Sequence, residues 1–156
     1  MAAPARCFVV PPGEGRLIDL ADFEMRVKAD ALSTEGVVSV LEAREPPDFG
    51  PPIHIHDDAA EAFYVLDGEY VMSLDGDEHC CPAGSFVFIP AGVPHGFRVA
   101  GVPSRKLNFY FPAAMIGYFD DLAAALARAD VTDSELTEIA EAHHMHIVGP
   151  PSERYV

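Results

Sequence analysis

The chain has 156 residues, 49% of them apolar and 22% charged, with a net charge of −15 when histidine is counted neutral. This is the size and composition of one globular domain that can bury a core without disulfides. Ten Lys and Arg against 25 Asp and Glu leave no basic footprint for phosphate, so nucleic acid and anionic membrane are not expected partners.

Residues 1–16 are rich in Pro and Gly and read as an irregular arm. The arm holds no sustained apolar stretch, so no signal peptide is expected and a cytoplasmic protein is the default. No apolar run approaches the roughly 20 residues of a membrane-spanning helix. Between Leu17 and Ala43, short apolar runs such as FEMRVKA and GVVSVLEA read as strands broken at Gly36. Residues 45–52, EPPDFGPP, form a loop, because proline cannot donate to a sheet ladder.

Strand signals then become dense. IHIH (53–56) alternates, EAFYVL (61–66) ends at Asp67-Gly68, and EYVMSL (69–74) ends at Asp75-Gly76. Asp-Gly is a hairpin-turn dipeptide. DEHCC (77–81), SFVFIP (85–90), HGFRVA (95–100) and RKLNFYFP (105–112) follow, each bounded by a turn. Short strands with regular turns predict an all-β antiparallel barrel or sandwich. Cys80 and Cys81 are adjacent and so point to opposite faces of their strand. With Cys7 they make an odd, unspaced set, read as reduced thiols rather than a disulfide framework.

The last third changes period. In residues 115–129, Met115, Phe119, Leu122 and Leu126 share one helical face. Thr132-Asp133-Ser134-Glu135 is a capping box that starts a second helix running to about His143, with Leu136 and Ile139 inward. HIVGPP (146–151) reads as a short extended tail. The expectation is one domain over 1–156, with a barrel at about 17–112 and a two-helix appendage at about 114–144.

His54 and His56 stand at i and i+2, so a strand points both imidazoles to one face. Glu61 opens the next strand after a link long enough to turn back. His95 begins a later strand after Gly92-Val93-Pro94. Three imidazoles and one carboxylate suit one divalent Fe, Ni, Mn, Co, Cu or Zn ion and lack the thiolates of most structural zinc sites. A six-coordinate ion would keep two open positions.

The spacing resembles the two motifs of the cupin superfamily. The first, G-x5-HxH-x(3,4)-E-x6-G, is matched by His54, His56, Glu61 and Gly68, with Gly50 two residues closer to the histidines than the pattern wants. The second, G-x5-PxG-x2-H-x3-N, is matched by Gly84, Pro90, Gly92 and His95, with Val99 where the pattern has Asn. The intermotif stretch, Glu69 to Ala83, is 15 residues, the short kind of small microbial cupins. The resemblance implies a double-stranded β-helix, or jelly-roll barrel, with the metal held by His54, His56, Glu61 and His95 near its mouth.

PPIHIHDDAAEAFYVLDGEY and the helix–helix–strand tail are further similar to single-domain, quercetin 2,3-dioxygenase-like cupins. That likeness implies oxygenolytic ring cleavage of a flavonol or similar enol with loss of carbon monoxide. Glu61 would then be ligand and catalytic base at once, in keeping with the lowered pKa of a metal-bound hydroxyl. The partners implied are an aromatic small molecule and O2. Substrate-pocket candidates are Phe63 and Val65 on the face of Glu61, and Phe97 and Val99 on that of His95. On the last strand, Asn108 and Tyr110 alternate with Leu107, Phe109 and Phe111, and one of these sets faces inward. An oxygen-independent isomerase, cyclase or lyase using the same ligands is the alternative, as is a non-catalytic small-ligand barrel. Small cupins are often homodimers, to which Ile53, Ile55 and the Pro-rich arm could contribute. Eight of the ten cationic residues are Arg, which hints at a GC-rich bacterial source. His79 reads as structural or exposed. His143, His144 and His146 sit near a helix C-terminus, where the dipole favours positive charge.

Overall fold

Alternating apolar and polar residues make strands with one buried and one wet face, and such strands are stable only when a second sheet covers the buried face. A computed structural model describes residues 6–149. Its strands are β1 (Arg16–Asp19), β2 (Glu24–Ala29), β3 (Ser39–Glu45), β4 (His54–His56), β5 (Ala60–Asp67), β6 (Glu69–Leu74), β7 (Asp77–Pro82), β8 (Phe86–Ile89), β9 (His95–Val99), β10 (Ser104–Phe111) and β11 (Met145–Ile147). They form two antiparallel sheets, ordered β1-β2-β3-β10-β5-β8 and β11-β4-β9-β6-β7. Two helices, α1 (Ile116–Leu126) and α2 (Asp133–Ala142), follow β10. No described helix is long and apolar enough to cross a membrane.

The turns follow their residues. Asp75 and Gly76 both take positive φ, 50° and 92°, the conformation a two-residue hairpin between β6 and β7 requires. At Gly68 a Cβ would lie 2.2 Å from the Ser104 hydroxyl oxygen. Only glycine lets Ser104 approach there, and its hydroxyl accepts from the Glu69 N–H at 3.0 Å.

The inward faces pack as two clusters. Val65, Tyr70, Met72, Val87 and Val99 fill one region between the sheets. Leu20, Met25, Leu41, Ala43 and Tyr110 form the other, onto which α1 lays Phe119, Leu122 and Leu126. A Val, Leu, Met or Phe among them contributes roughly 1.5–3 kcal/mol when fully buried. The shared face expected of Met115, Phe119, Leu122 and Leu126 is the one α1 buries.

Two local features differ from the sequence expectation. Helix α1 stops at Leu126 rather than Ala129. Only half of the capping box forms: Thr132 Oγ1 accepts from the Glu135 N–H at 3.2 Å, while Arg128 takes the Glu135 carboxylate. The C-terminal tail is extended, as the sequence suggests, and docks as a strand. Met145, His146 and Ile147 pair with His56, Ile55 and His54, so the chain returns to the strand that carries the histidine pair. Pro150 and Pro151 lie outside the described residues.

Alternation also decides what faces out. Strands β8, β5 and β10 present two apolar rows in register, Phe86–Tyr64–Leu107 and Phe88–Ala62–Phe109, and Phe111 extends the patch beside Phe109. Phe86 is 64% exposed, Phe88 55%, Tyr64 42% and Phe111 41%. Ile53 and Ile55 are only half-exposed, because the segment at β11 lies along their strand.

Candidate metal centre

Strand β4 turns His54 and His56 to the same inward face, and β9 sets His95 directly opposite His54. Glu61 comes from β5 in the other sheet, so the group assembles only when the two sheets pack. One potential ligand atom from each of the four residues lies within 4.8 Å of the others. All four side chains are buried, between 3% and 7% exposed. The Gly92 N–H donates to the His56 carbonyl at 2.8 Å, which ties the turn before His95 to the histidine strand.

Hydrogen bonds set the ring orientations. His54 Nδ1 donates to the Pro52 carbonyl at 2.7 Å, and His95 Nδ1 to the Val93 carbonyl at 2.8 Å. A neutral ring fixed this way presents its Nε2 lone pair inward. Glu61 Oε2 lies 2.9 Å from His56 Nε2 and 2.8 Å from His95 Nε2. A neutral His95 would therefore set a lone pair against a carboxylate, which is favourable only with a cation between them.

The titration behaviour follows. Burial lowers His54 to about 4, with the neighbouring His95 charge acting in the same direction. Burial alone would raise Glu61, but hydrogen bonds from His56 and His95 outweigh it and hold the carboxyl well below its ordinary range. Burial would lower His95, but the Glu61 carboxylate raises it above its ordinary value. His56 Nδ1 is buried without a hydrogen-bond partner. Inward lone pairs beside an ionised carboxylate fit a divalent metal: three nitrogens and one oxygen, with no thiolate.

The cluster opens on a cavity of about 340 Å³. Of the residues singled out for a substrate pocket, Phe63, Phe97, Asn108 and Tyr110 line it with His54, His56 and Glu61. Val65 and Val99 do not; both are fully buried in the core cluster between the sheets. On β10 the inward set is Lys106, Asn108 and Tyr110, while Leu107 and Phe109 are half-exposed and Phe111 faces out. The helices are more than an appendage. Tyr118, Phe119, Leu122 and Leu126 of α1 and Leu136 of α2 form part of the cavity wall, as do Met145 and Ile147 of β11.

One cluster on the wall escaped the sequence reading. Lys106 Nζ, fully buried, donates to Glu45 Oε1 at 2.8 Å and Oε2 at 2.9 Å. The Tyr70 hydroxyl donates to the same Glu45 Oε2 at 2.7 Å. The signal was present as opposite charges at inward positions of two strands, Glu45 in phase with Leu41 and Ala43, and Lys106 in phase with Asn108 and Tyr110. The three C-terminal histidines do not converge: His143 faces Asp121, His144 faces Asp58 and His146 faces Asp57. His79 and Cys80 are exposed and Cys81 is buried.

Residues 41–107 match the cupin domain family model, and the two-sheet barrel with an inward His-Glu cluster accompanies that match. The fold is a cupin. Against known proteins the cupin is 28% identical over 102 residues to quercetin 2,3-dioxygenase of Bacillus subtilis, a stretch that covers 65% of this chain and 30% of that enzyme. The chain thus spans less than a third of the enzyme it resembles. KdgF from a Halomonas species aligns with a TM-score of 0.62 at 15% identity, covering 69% of this cupin and 94% of KdgF. An RmlC-like cupin from Shewanella frigidimarina gives 0.60 at 17% identity, covering 70% and 96%. At those identities the likeness is one of fold.

Proposed function

We propose that this cupin is a metal-dependent oxygenase that cleaves a flavonol or similar enolised aromatic molecule with O2. The observation that carries the reading is the opening of a buried three-histidine, one-carboxylate cluster onto an apolar, aromatic-lined cavity. A cavity of about 340 Å³ is in the range of small-molecule sites. The 28% identity to a quercetin 2,3-dioxygenase supports the same chemistry.

In this reading His54, His56, Glu61 and His95 hold one divalent Fe, Ni, Mn, Co, Cu or Zn ion. The metal, when bound, supplies Lewis-acid activation of a substrate hydroxyl. Glu61 receives the enol proton, since its carboxyl is ionised and borders the cavity. Its Oε2 sits beside the Nε2 atoms of His56 and His95, so one ion would draw all three. Phe63 and Phe97, in an edge-to-face pair 6.0 Å apart, both border the cavity and would give a flat ring apolar surface to lie against. Tyr110 faces Glu61 across the β5–β10 pair. Its hydroxyl stays protonated: burial raises it well above its ordinary value, and the Glu61 charge adds to that.

The test is oxygen uptake with quercetin by protein reconstituted separately with Ni, Co, Mn, Fe and Zn. The expected result is metal-dependent uptake, absent with redox-inert zinc if the metal takes part in electron transfer. No uptake with any metal, in protein shown to bind metal, would sink the oxygenase reading and favour an oxygen-independent lyase or isomerase using the same residues.

We further propose that the outward face of β8, β5 and β10 is where two copies of this chain associate. Its four most exposed rings leave roughly 400 Å² of apolar surface uncovered, about half of what a stable dimer buries per partner. The ten outward positions of these strands include no Asp or Glu in a chain with 25. Two molecules of charge −15 repel least across this face, and flat sheet faces pack on one another as in a sandwich. Light scattering should give twice the 16.8 kDa chain mass, and Phe88→Lys should give the single chain with unchanged metal content. A wild-type monomer, or a Phe88→Lys dimer, would refute the assignment.

A further inference from the structure

Asn108 is 3% exposed and lines the cavity, yet its Oδ1 has no hydrogen-bond partner. A buried polar atom left unpaired costs about 1–3 kcal/mol, so a native chain keeps one for a reason. One pleat step further along the same face, Lys106 gives two bonds to Glu45. An ammonium has a third hydrogen. That side of Lys106 meets ring faces, with Nζ 4.1 Å from the Phe97 centroid and 5.3 Å from that of Phe63.

An unmet acceptor and an ammonium whose third hydrogen meets only ring faces therefore lie one pleat step apart on one wall. The wall also carries no net charge, because Glu45 neutralises Lys106. An anion buried there would face the Glu45 carboxylate without a free counter-charge, which is strongly unfavourable. A neutral hydroxyl is both donor and acceptor and satisfies both groups.

We propose that Asn108 and Lys106 form a second polar subsite that binds a hydroxyl group of the substrate, with Asn108 Oδ1 accepting its hydrogen and Lys106 Nζ donating to its oxygen. This rests on the cavity being the substrate pocket, as proposed above, and it narrows the substrate class. Tyr110 pairs with Glu61 and Asn108 with Phe63, so the subsite lies about 7 Å along the strand from the metal-cluster carboxylate. The substrate is a neutral aromatic with a second hydroxyl about one ring's breadth from its chelating oxygen. Small dicarboxylates are excluded by charge.

The experiment uses the zinc-loaded full chain kept free of oxygen, so that binding is measured without turnover. Quercetin and 3-hydroxyflavone share the chelating enol, but only quercetin carries further ring hydroxyls. The wild type is expected to bind quercetin about tenfold more tightly, by one added hydrogen-bonded contact. Asn108→Leu should bring the ratio close to one, leaving the 3-hydroxyflavone affinity and the zinc stoichiometry as they were. The ligand-free melting temperature should hold or rise, because an unpaired group has been removed. A ratio that persists in Asn108→Leu, or a melting temperature lowered by several degrees, would overturn the inference. A parallel arm uses 4-fluorophenol and 4-fluoroanisole followed by fluorine NMR. If neither flavonol binds, the flavonol reading fails, and the fragments decide the subsite separately. A preference for the phenol that Asn108→Leu abolishes supports it, and equal binding of the two refutes it.

Discussion

Glu61→Gln is expected to lower metal-dependent turnover of the flavonol by about a hundredfold or more, the usual worth of a positioned general base, while the protein still takes up metal at saturating concentration. Gln has the shape of Glu and can still offer an oxygen ligand. It cannot accept the substrate proton, and its neutral amide removes the charge that raises His95. His95→Ala should behave differently, because it deletes a nitrogen donor from a buried cluster and should lose the metal itself. Metal content by atomic emission, read beside turnover, separates the two roles. A fully metallated Glu61→Gln protein with near wild-type turnover would show that the proton goes elsewhere.

Lys106→Met is expected to cost about 3–5 kcal/mol of stability, the penalty for leaving one partner of a buried pair uncompensated. That is a large part of the about 5–15 kcal/mol that holds a domain of this size together. Lys106 is fully buried and both its oxygen partners belong to Glu45, so the substitution strips that carboxylate of its counter-charge. The double variant Glu45→Gln, Lys106→Met should recover most of the loss, since the glutamine oxygen still accepts from Tyr70 and no ion remains buried. Urea midpoints of the two singles and the double give the coupling. Additive losses would mean that Glu45 and Lys106 do not act as a pair. The same coupling explains why the hydroxyl subsite is better tested at Asn108 than at Lys106.

The convergence of His54, His56, Glu61 and His95 was legible because it depends on local rules. An i, i+2 pair shares a strand face whatever the rest of the chain does, and Asp67-Gly68 and Asp75-Gly76 fix where neighbouring strands reverse. The capping box was half-legible. Thr132 does cap α2, but Glu135 has a choice between its own helix terminus and the nearby Arg128, and sequence spacing does not weigh those alternatives. Val65 and Val99 were placed on the correct strand faces, yet a shared face does not say which inward residues border a cavity and which are packed shut. Phe63 and Phe97 border it; the two valines lie in the closed core.

The sequence by itself determined the strand alternation, the turns and the residue types that gather at the candidate metal centre, all of which follow from the two-residue period of a strand and the conformational needs of Asp-Gly turns. The tertiary structure decided the rest. It chose which face of β10 turns inward, and so brought Lys106 to Glu45 and left Asn108 Oδ1 unpaired at the cavity. It also made α1, α2 and β11 part of the cavity wall rather than an attachment, and left the aromatic rows of β8, β5 and β10 uncovered. These outcomes depend on how two sheets and two helices pack across long sequence separations, where shape and burial, rather than neighbouring residues, set the energy.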